Sequence, residues 1–209
     1  MSHGMVPDRL ARSTRLGIAP IARGLVAAGV TANVVTLIGG ALTVIGGALI
    51  ALDRPGYALV ALLVGTACDT IDGAVARASG GGTKLGGFLD STTDRVADAA
   101  IFGGTAALGA ALGFGLLFWA GLLALVGSFL VPYVRAKAES MGVPAAVAAV
   151  GPAPREARIV VVLLGLAAWA LFGLNELYLL AVLLLAILAL ITFVQRVATV
   201  AARLGKEGT

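Results

Sequence analysis

The sequence predicts an all-α integral membrane protein: six transmembrane helices, preceded by an N-terminal amphipathic helix lying in the interface. Three observations carry this. Of 209 residues, 59% are hydrophobic and 12% are charged, where a soluble domain carries roughly 25% charged. Apolar stretches near the ~20 residues needed to cross a bilayer recur six times. The few charges are sorted along the chain rather than scattered. Hydrocarbon offers no partner to free backbone groups, so the spans are helices.

Residues 1–33 read as a cytoplasmic N-terminal segment and 34–209 as one membrane domain. Within the first, residues 8–29 interleave arginines with apolar residues at helical spacing, which suits a helix in the headgroup layer. The segment has no compact apolar core before a small-residue cleavage site, so no cleavable signal peptide is expected. The spans then fall at about 34–52, 56–78, 87–112, 115–140, 156–173 and 177–203. Tyr57, Trp119, Trp169, Tyr133 and Tyr178 mostly flank them, as interface anchors do. Cys68 is the only cysteine, so no internal disulfide forms.

Every basic residue except Arg54 falls at one side of this arrangement: before span one, at the connections two–three and four–five, at the C-terminal end, or, for Arg95, within span three near that same side. The positive-inside rule then puts both termini in the cytoplasm. This bias accounts for the net charge of +4, and no nucleic-acid partner is required.

Five of the eleven acidic residues are concentrated in one stretch. Asp69 and Asp72 are three apart near the cytoplasmic end of span two, and Asp90, Asp94 and Asp98 are successively four apart at the start of span three. Both spacings put carboxylates on one helical face. The turn Ser79-Gly80-Gly81-Gly82-Thr83 joins the two helices as a hairpin, so the faces can meet. An aspartate at the centre of a membrane span costs roughly 2.5–3.5 kcal/mol, less near the interface. A cation has to offset such a group. Arg77 and Arg95 neutralise part of it, and oxygen-only ligands at this density point to Mg²⁺ or a similar hard ion. Gly73, Ala76 and Gly86 interleave with the carboxylates and let a flat ligand, such as a nucleotide base or ribose, lie close.

The pattern Asp69-x-x-Asp72-Gly73-x-x-Ala76-Arg77, then eight residues, then Gly86-x-x-x-Asp90-x-x-x-Asp94 resembles the signature of the CDP-alcohol phosphotransferase family at every position and spacing. Outside it, Pro20-Ile21-Ala22-Arg23-Gly24-Leu25, Gly80-Gly81-Gly82-Thr83, residues 133–139 and Val194-Gln195-Arg196 resemble the bacterial phosphatidylinositol phosphate synthase subgroup. The resemblance implies a homodimer of six-helix protomers in the bacterial inner (plasma) membrane, with a cytoplasm-facing cavity. It implies two metal ions, Mg²⁺ or Mn²⁺, on Asp69, Asp72, Asp90 and Asp94, with Asp94 also the general base. Asp69, Gly73, Ala76, Arg77 and Gly86 would bind the CDP moiety. Asp98 lies outside the signature and is expected to support the others or pair with an arginine.

The implied reaction moves a phosphatidyl group from CDP-diacylglycerol to an alcohol, releasing CMP. Arg135, Lys137, Arg155, Arg158 and Arg196 gather at the cytoplasmic ends of spans four to six, and Ser128 lies two turns before Arg135. Guanidinium forks suit phosphate oxygens, although topology alone also places basic residues there. With the subgroup resemblance, the expected acceptor is inositol 1-phosphate. The subgroup's Arg-x-Glu-Arg reads here as Arg155-Glu156-Ala157-Arg158, with the glutamate displaced by one position, which keeps glycerol 3-phosphate as the alternative. A divalent-cation transporter is the rival of a different class, and it requires polar groups along a path through the bilayer.

Overall fold

A computed structural model describes residues 8–152 and 155–207, without the side chains of 8–16, 155, 156 and 207. Seven helices and no strand occur among the described residues: α1 (Asp8–Ala27), α2 (Ala32–Ala51), α3 (Pro55–Ala78), α4 (Lys84–Ala111), α5 (Gly115–Ser140), α6 (Arg155–Phe172) and α7 (Asn175–Glu207). The expected amphipathic segment is α1, which packs on α3, and the six expected spans correspond to α2–α7. Four of them, α2, α3, α5 and α7, are long and apolar enough to cross a membrane, with window hydropathies of 2.2, 1.6, 2.0 and 3.0. α4 is as long as these but carries Asp90, Asp94, Arg95 and Asp98, while the apolar part of α6, Ala157–Phe172, is shorter. α4 also starts three residues before the expected span, because Thr83 caps it by accepting from Gly86 N–H at 2.9 Å.

The helices close a ring. α2 packs on both α3 and α4, α4 on α5, α5 on α7, α7 on α6, and α6 back on α3. Close approach within the ring depends on missing side chains: a Cβ on Gly47 of α2 would run into the Ala100 carbonyl of α4, and one on Gly121 of α5 would sit 2.8 Å from the Phe102 carbonyl. Leu37, Val60, Leu116, Leu164 and Leu180 stand exposed on the outside, as lipid-facing residues do.

The two ends of the ring are filled differently. Away from the carboxylates, Ile50, Leu59, Leu62, Leu108, Leu117, Val162, Leu166, Val182 and Leu185 form a continuous apolar core. Within it, the hydroxyls of Thr105 and Tyr178 hydrogen-bond at 2.6 Å, and Tyr178 packs on Trp169. At the carboxylate end only a small cluster, Ala138, Val143, Ala148 and Val200, packs under the α5–α6 connection. The ring is therefore plugged at one end and hollow at the other.

Candidate active site

The hollow end is shaped by the α3–α4 hairpin. α3 stops where Gly80 takes φ +96°, with Gly81 N–H donating to the Ala76 carbonyl at 2.9 Å and Gly80 N–H to the Arg77 carbonyl at 3.4 Å. This pairing satisfies the last carbonyls of the helix and needs a residue that tolerates positive φ. Beyond the turn, α3 and α4 both lie against α2 and leave a cleft between themselves.

Into this cleft point Asp69, Asp72 and Asp90, which can each offer a carboxylate oxygen such that all three lie within 4.8 Å of one another. Asp72 is buried, Asp69 half-buried and Asp90 exposed. Three negative charges this close repel, and the set consists of carboxylate oxygens alone, the donor chemistry of a hard divalent cation. The arrangement therefore fits such an ion. Asp94 stands one turn after Asp90 and outside this trio. Arg95 reaches both Asp94 (3.8 Å) and Asp98 (3.6 Å), and donates to the Ser128 carbonyl of α5 at 2.9 Å. The expectation that Asp98 pairs with an arginine is met.

Two cavities meet at the carboxylates. The first, about 670 Å³ and partly open to solvent, lies against the α3–α4 turn and includes Gly73, Ala76, Gly86 and Asp90. The second is narrow, about 50 Å³, runs into the ring and includes Asp94, Asp98 and Arg158 before ending among Leu62, Phe102 and Val162. Thr36, Asp69 and Asp72 line both. At the first, the Arg77 guanidinium lies over Gly73, where a Cβ would sit 3.3 Å from it.

The expected basic group comes together in part. Arg135 of α5 and Arg158 of α6 both act electrostatically on Arg196 of α7. Arg196 donates to the Val150 carbonyl at 2.9 Å and the Val131 carbonyl at 3.0 Å, and Arg135 pairs with Glu139 at 2.9 Å. Lys137 is exposed, and the side chain of Arg155 lies outside the described residues. Ser128 does not join the group. It is 0% exposed, and its hydroxyl donates to the Leu125 carbonyl at 2.8 Å, the usual fate of a helical serine with no polar neighbour.

Sequence reasoning missed Thr36 and Asn33. Thr36 donates to Asp72 at 2.5 Å, and Asn33 Oδ1 would lie 3.2 Å from a Cβ on Gly86. Both sit at the start of the first span beside the cap Thr31, so they read as an ordinary helix start. Their three-residue spacing, which puts them on one face, was the available signal.

The sequence profile of CDP-alcohol phosphatidyltransferases matches residues 29–202. The archaetidylinositol phosphate synthase of Pyrococcus horikoshii is 40% identical over 187 residues, covering 88% of this chain and 90% of that protein. The phosphatidylinositol phosphate synthase of Mycobacteroides abscessus is 39% identical over 151 residues, covering 70% and 66%. The crystal structure of Mycobacterium tuberculosis phosphatidylinositol phosphate synthase with CDP-DAG bound superposes with a TM-score of 0.79 at 34% identity, covering 88% of this chain and 92% of that one. The same enzyme in complex with manganese and citrate also gives 0.79, at 33% identity and 88% of each chain. Matched over most of its length in both sequence and fold, the chain belongs to the CDP-alcohol phosphatidyltransferase family and is a transferase of phospholipid synthesis.

Proposed function

We propose that this protein transfers the phosphatidyl group of CDP-diacylglycerol to inositol 1-phosphate, releasing CMP and forming phosphatidylinositol phosphate. The observation that carries the reading is the pair of cavities sharing the wall Thr36, Asp69 and Asp72, with Asp90 on one side and Asp94 on the other. The cavity against the Gly-rich turn takes the CDP moiety, over Asp69, Gly73, Ala76, Arg77 and Gly86. The cavity with Arg158 takes the acceptor, with Arg135 and Arg196 holding its phosphate from above and Lys137 and Arg155 adding positive charge.

The acceptor hydroxyl attacks the lipid-bearing β-phosphorus, a new P–O bond forms, and the bond to the α-phosphate breaks with CMP leaving. Asp94 takes the hydroxyl proton; of the four signature aspartates only it and the shared pair face the acceptor cavity, and it lies outside the close trio. Asp69, Asp72 and Asp90, with Asp94 at the edge, would hold two Mg²⁺ ions, for which Mn²⁺ substitutes. Bound there, the metal supplies neutralisation of phosphoryl charge and stabilisation of the leaving CMP. Arg95, tied to α5, keeps Asp94 and Asp98 in register with the cavity.

The acceptor assignment is supported by the relatives' names, which divide between archaetidyl and phosphatidyl lipids but share inositol phosphate. The bilayer arrangement we infer has six spans, α2–α7, with α1 in the interface. Both termini and the site face the cytoplasm of a bacterial inner membrane, and the protein acts as a homodimer. The apolar plug at the far end of the ring interrupts the polar path that a cation transporter requires.

The test is CMP release in nanodiscs with Mg²⁺. Inositol 1-phosphate, glycerol 3-phosphate and free inositol are offered separately, with diacyl and archaeol forms of the donor. Release with inositol 1-phosphate, abolished by metal chelation, is expected. Release only with glycerol 3-phosphate would replace the acceptor, and metal flux without CMP release would replace the reaction.

A further inference from the structure

We infer that Thr36 is a positioning residue for Asp72, and that its hydroxyl, contributed by a different helix, sets the carboxylate for cation binding at the wall between the two cavities. The inference rests on the metal reading above. Asp72 is the buried member of the close trio, 7% exposed, and Thr36 beside it is 9% exposed. The Thr36 hydroxyl lies 2.5 Å from Asp72 Oδ2 and 3.0 Å from the Ala32 carbonyl, one turn back on α2. It has a single proton to give, and the charged acceptor at the shorter distance takes it.

A carboxylate has about four lone-pair sites. One is occupied by Thr36 and the backbone of Gly73 also hydrogen-bonds the group; together they restrain its rotation and leave the remaining sites for a cation. Thr36 itself is β-branched and sits in a helix, so its rotamer choices are few. Among the described residues, only Thr36 and the shared aspartates line both cavities. Moving Asp72 therefore disturbs the one place where donor and acceptor sites touch.

The test is Mn²⁺ affinity of the purified full chain in nanodiscs, read from the electron paramagnetic resonance signal of the free ion, with melting temperature alongside. Thr36→Val, which keeps the shape and removes the donor, is expected to weaken Mn²⁺ binding about 10–100-fold, the range for loss of a group that orients a metal ligand. Thr36→Ser recovers most of that affinity, and Thr36→Cys, a weaker donor of similar shape, falls between. Thr43→Val serves as control, because that hydroxyl returns to the Gly39 carbonyl of its own helix; its Mn²⁺ affinity stays at the wild-type value. In turnover, the Mn²⁺ concentration for half-maximal rate rises in Thr36→Val. Wild-type affinity in Thr36→Val would overturn the inference, as would Thr36→Ser binding as weakly as Thr36→Val, since the methyl group would then be responsible. If Thr36→Val does not fold, the order of wild type, serine and cysteine variants decides by the same logic. Absence of Mn²⁺ binding by the wild type would instead remove the metal reading, and this inference with it.

Discussion

The acidic cluster is drawn from one hairpin, α3 and α4, whereas the basic cluster is drawn from α5, α6 and α7. In the first, three carboxylates crowd within 4.8 Å, a donor set suited to a hard divalent cation. In the second, the central cation is already employed: Arg196 hydrogen-bonds two backbone carbonyls, one on α5 and one on the α5–α6 connection. The acidic group is a site imposed on the fold at an energetic cost. The basic group is part of what holds the fold together, so substitutions there register in stability as well as in substrate binding. That difference can be broken or sharpened experimentally.

The largest effect belongs to the acidic side. Asp94→Asn keeps size and one acceptor oxygen but removes the base, and CMP release is expected to fall about 10²–10⁴-fold with the melting temperature held. Steady-state turnover beside a thermal melt checks both halves. Next come two arginines compared as a pair. Arg196→Lys cannot serve two carbonyls with one ammonium. It is expected to raise the KM for inositol 1-phosphate about tenfold or more and to cost about 1.5–3 kcal/mol of stability, the usual loss for a charged hydrogen bond. Arg135→Lys should raise the same KM with no measurable change in melting, because its ion pair with Glu139 is solvent-exposed. Equal destabilisation by both would erase the distinction drawn here. Smaller still is Tyr178→Phe in the plug, which removes the 2.6 Å bond to Thr105. A cost of about 0.6 kcal/mol, typical of hydrogen bonds between membrane helices, with unchanged turnover, would show that the plug supports the site without entering it. The smallest is Glu139→Gln, worth at most about 0.5 kcal/mol as an exposed pair on one helix.

Much of the acidic site was legible because it is local. Spacings of three and four along a helix, and a Gly-rich turn between two helices, convert directly into shared faces, and Asp69, Asp72 and Asp90 meet as those spacings require. The pairing of Arg95 with Asp98 is local in the same way, three residues apart on α4. Thr36 escaped because its partner lies 36 positions along the chain. Beyond the three-residue spacing from Asn33, nothing local marks it off from Thr43, whose hydroxyl returns to the Gly39 carbonyl of its own helix. Ser128 illustrates the converse. Spacing put it two turns from Arg135, but the hydroxyl found the Leu125 carbonyl of its own helix, and what α5 offers the site is the Ser128 carbonyl, to Arg95.

By itself the sequence determined the solvent, the number and order of the helices, and the face of each that carries charge. These follow from composition and from a period of 3.6 residues, which act within one segment at a time. The tertiary structure alone decided that the helices close a ring with α2 between α3 and α4, that one end is plugged, and that two cavities meet at Thr36, Asp69 and Asp72. It also decided that Arg196 is tied into the backbone of its neighbours. Those features depend on which helix lies beside which, and that choice is made by small-residue contacts such as Gly47 against Ala100 and Gly121 against Phe102, between segments far apart in the chain.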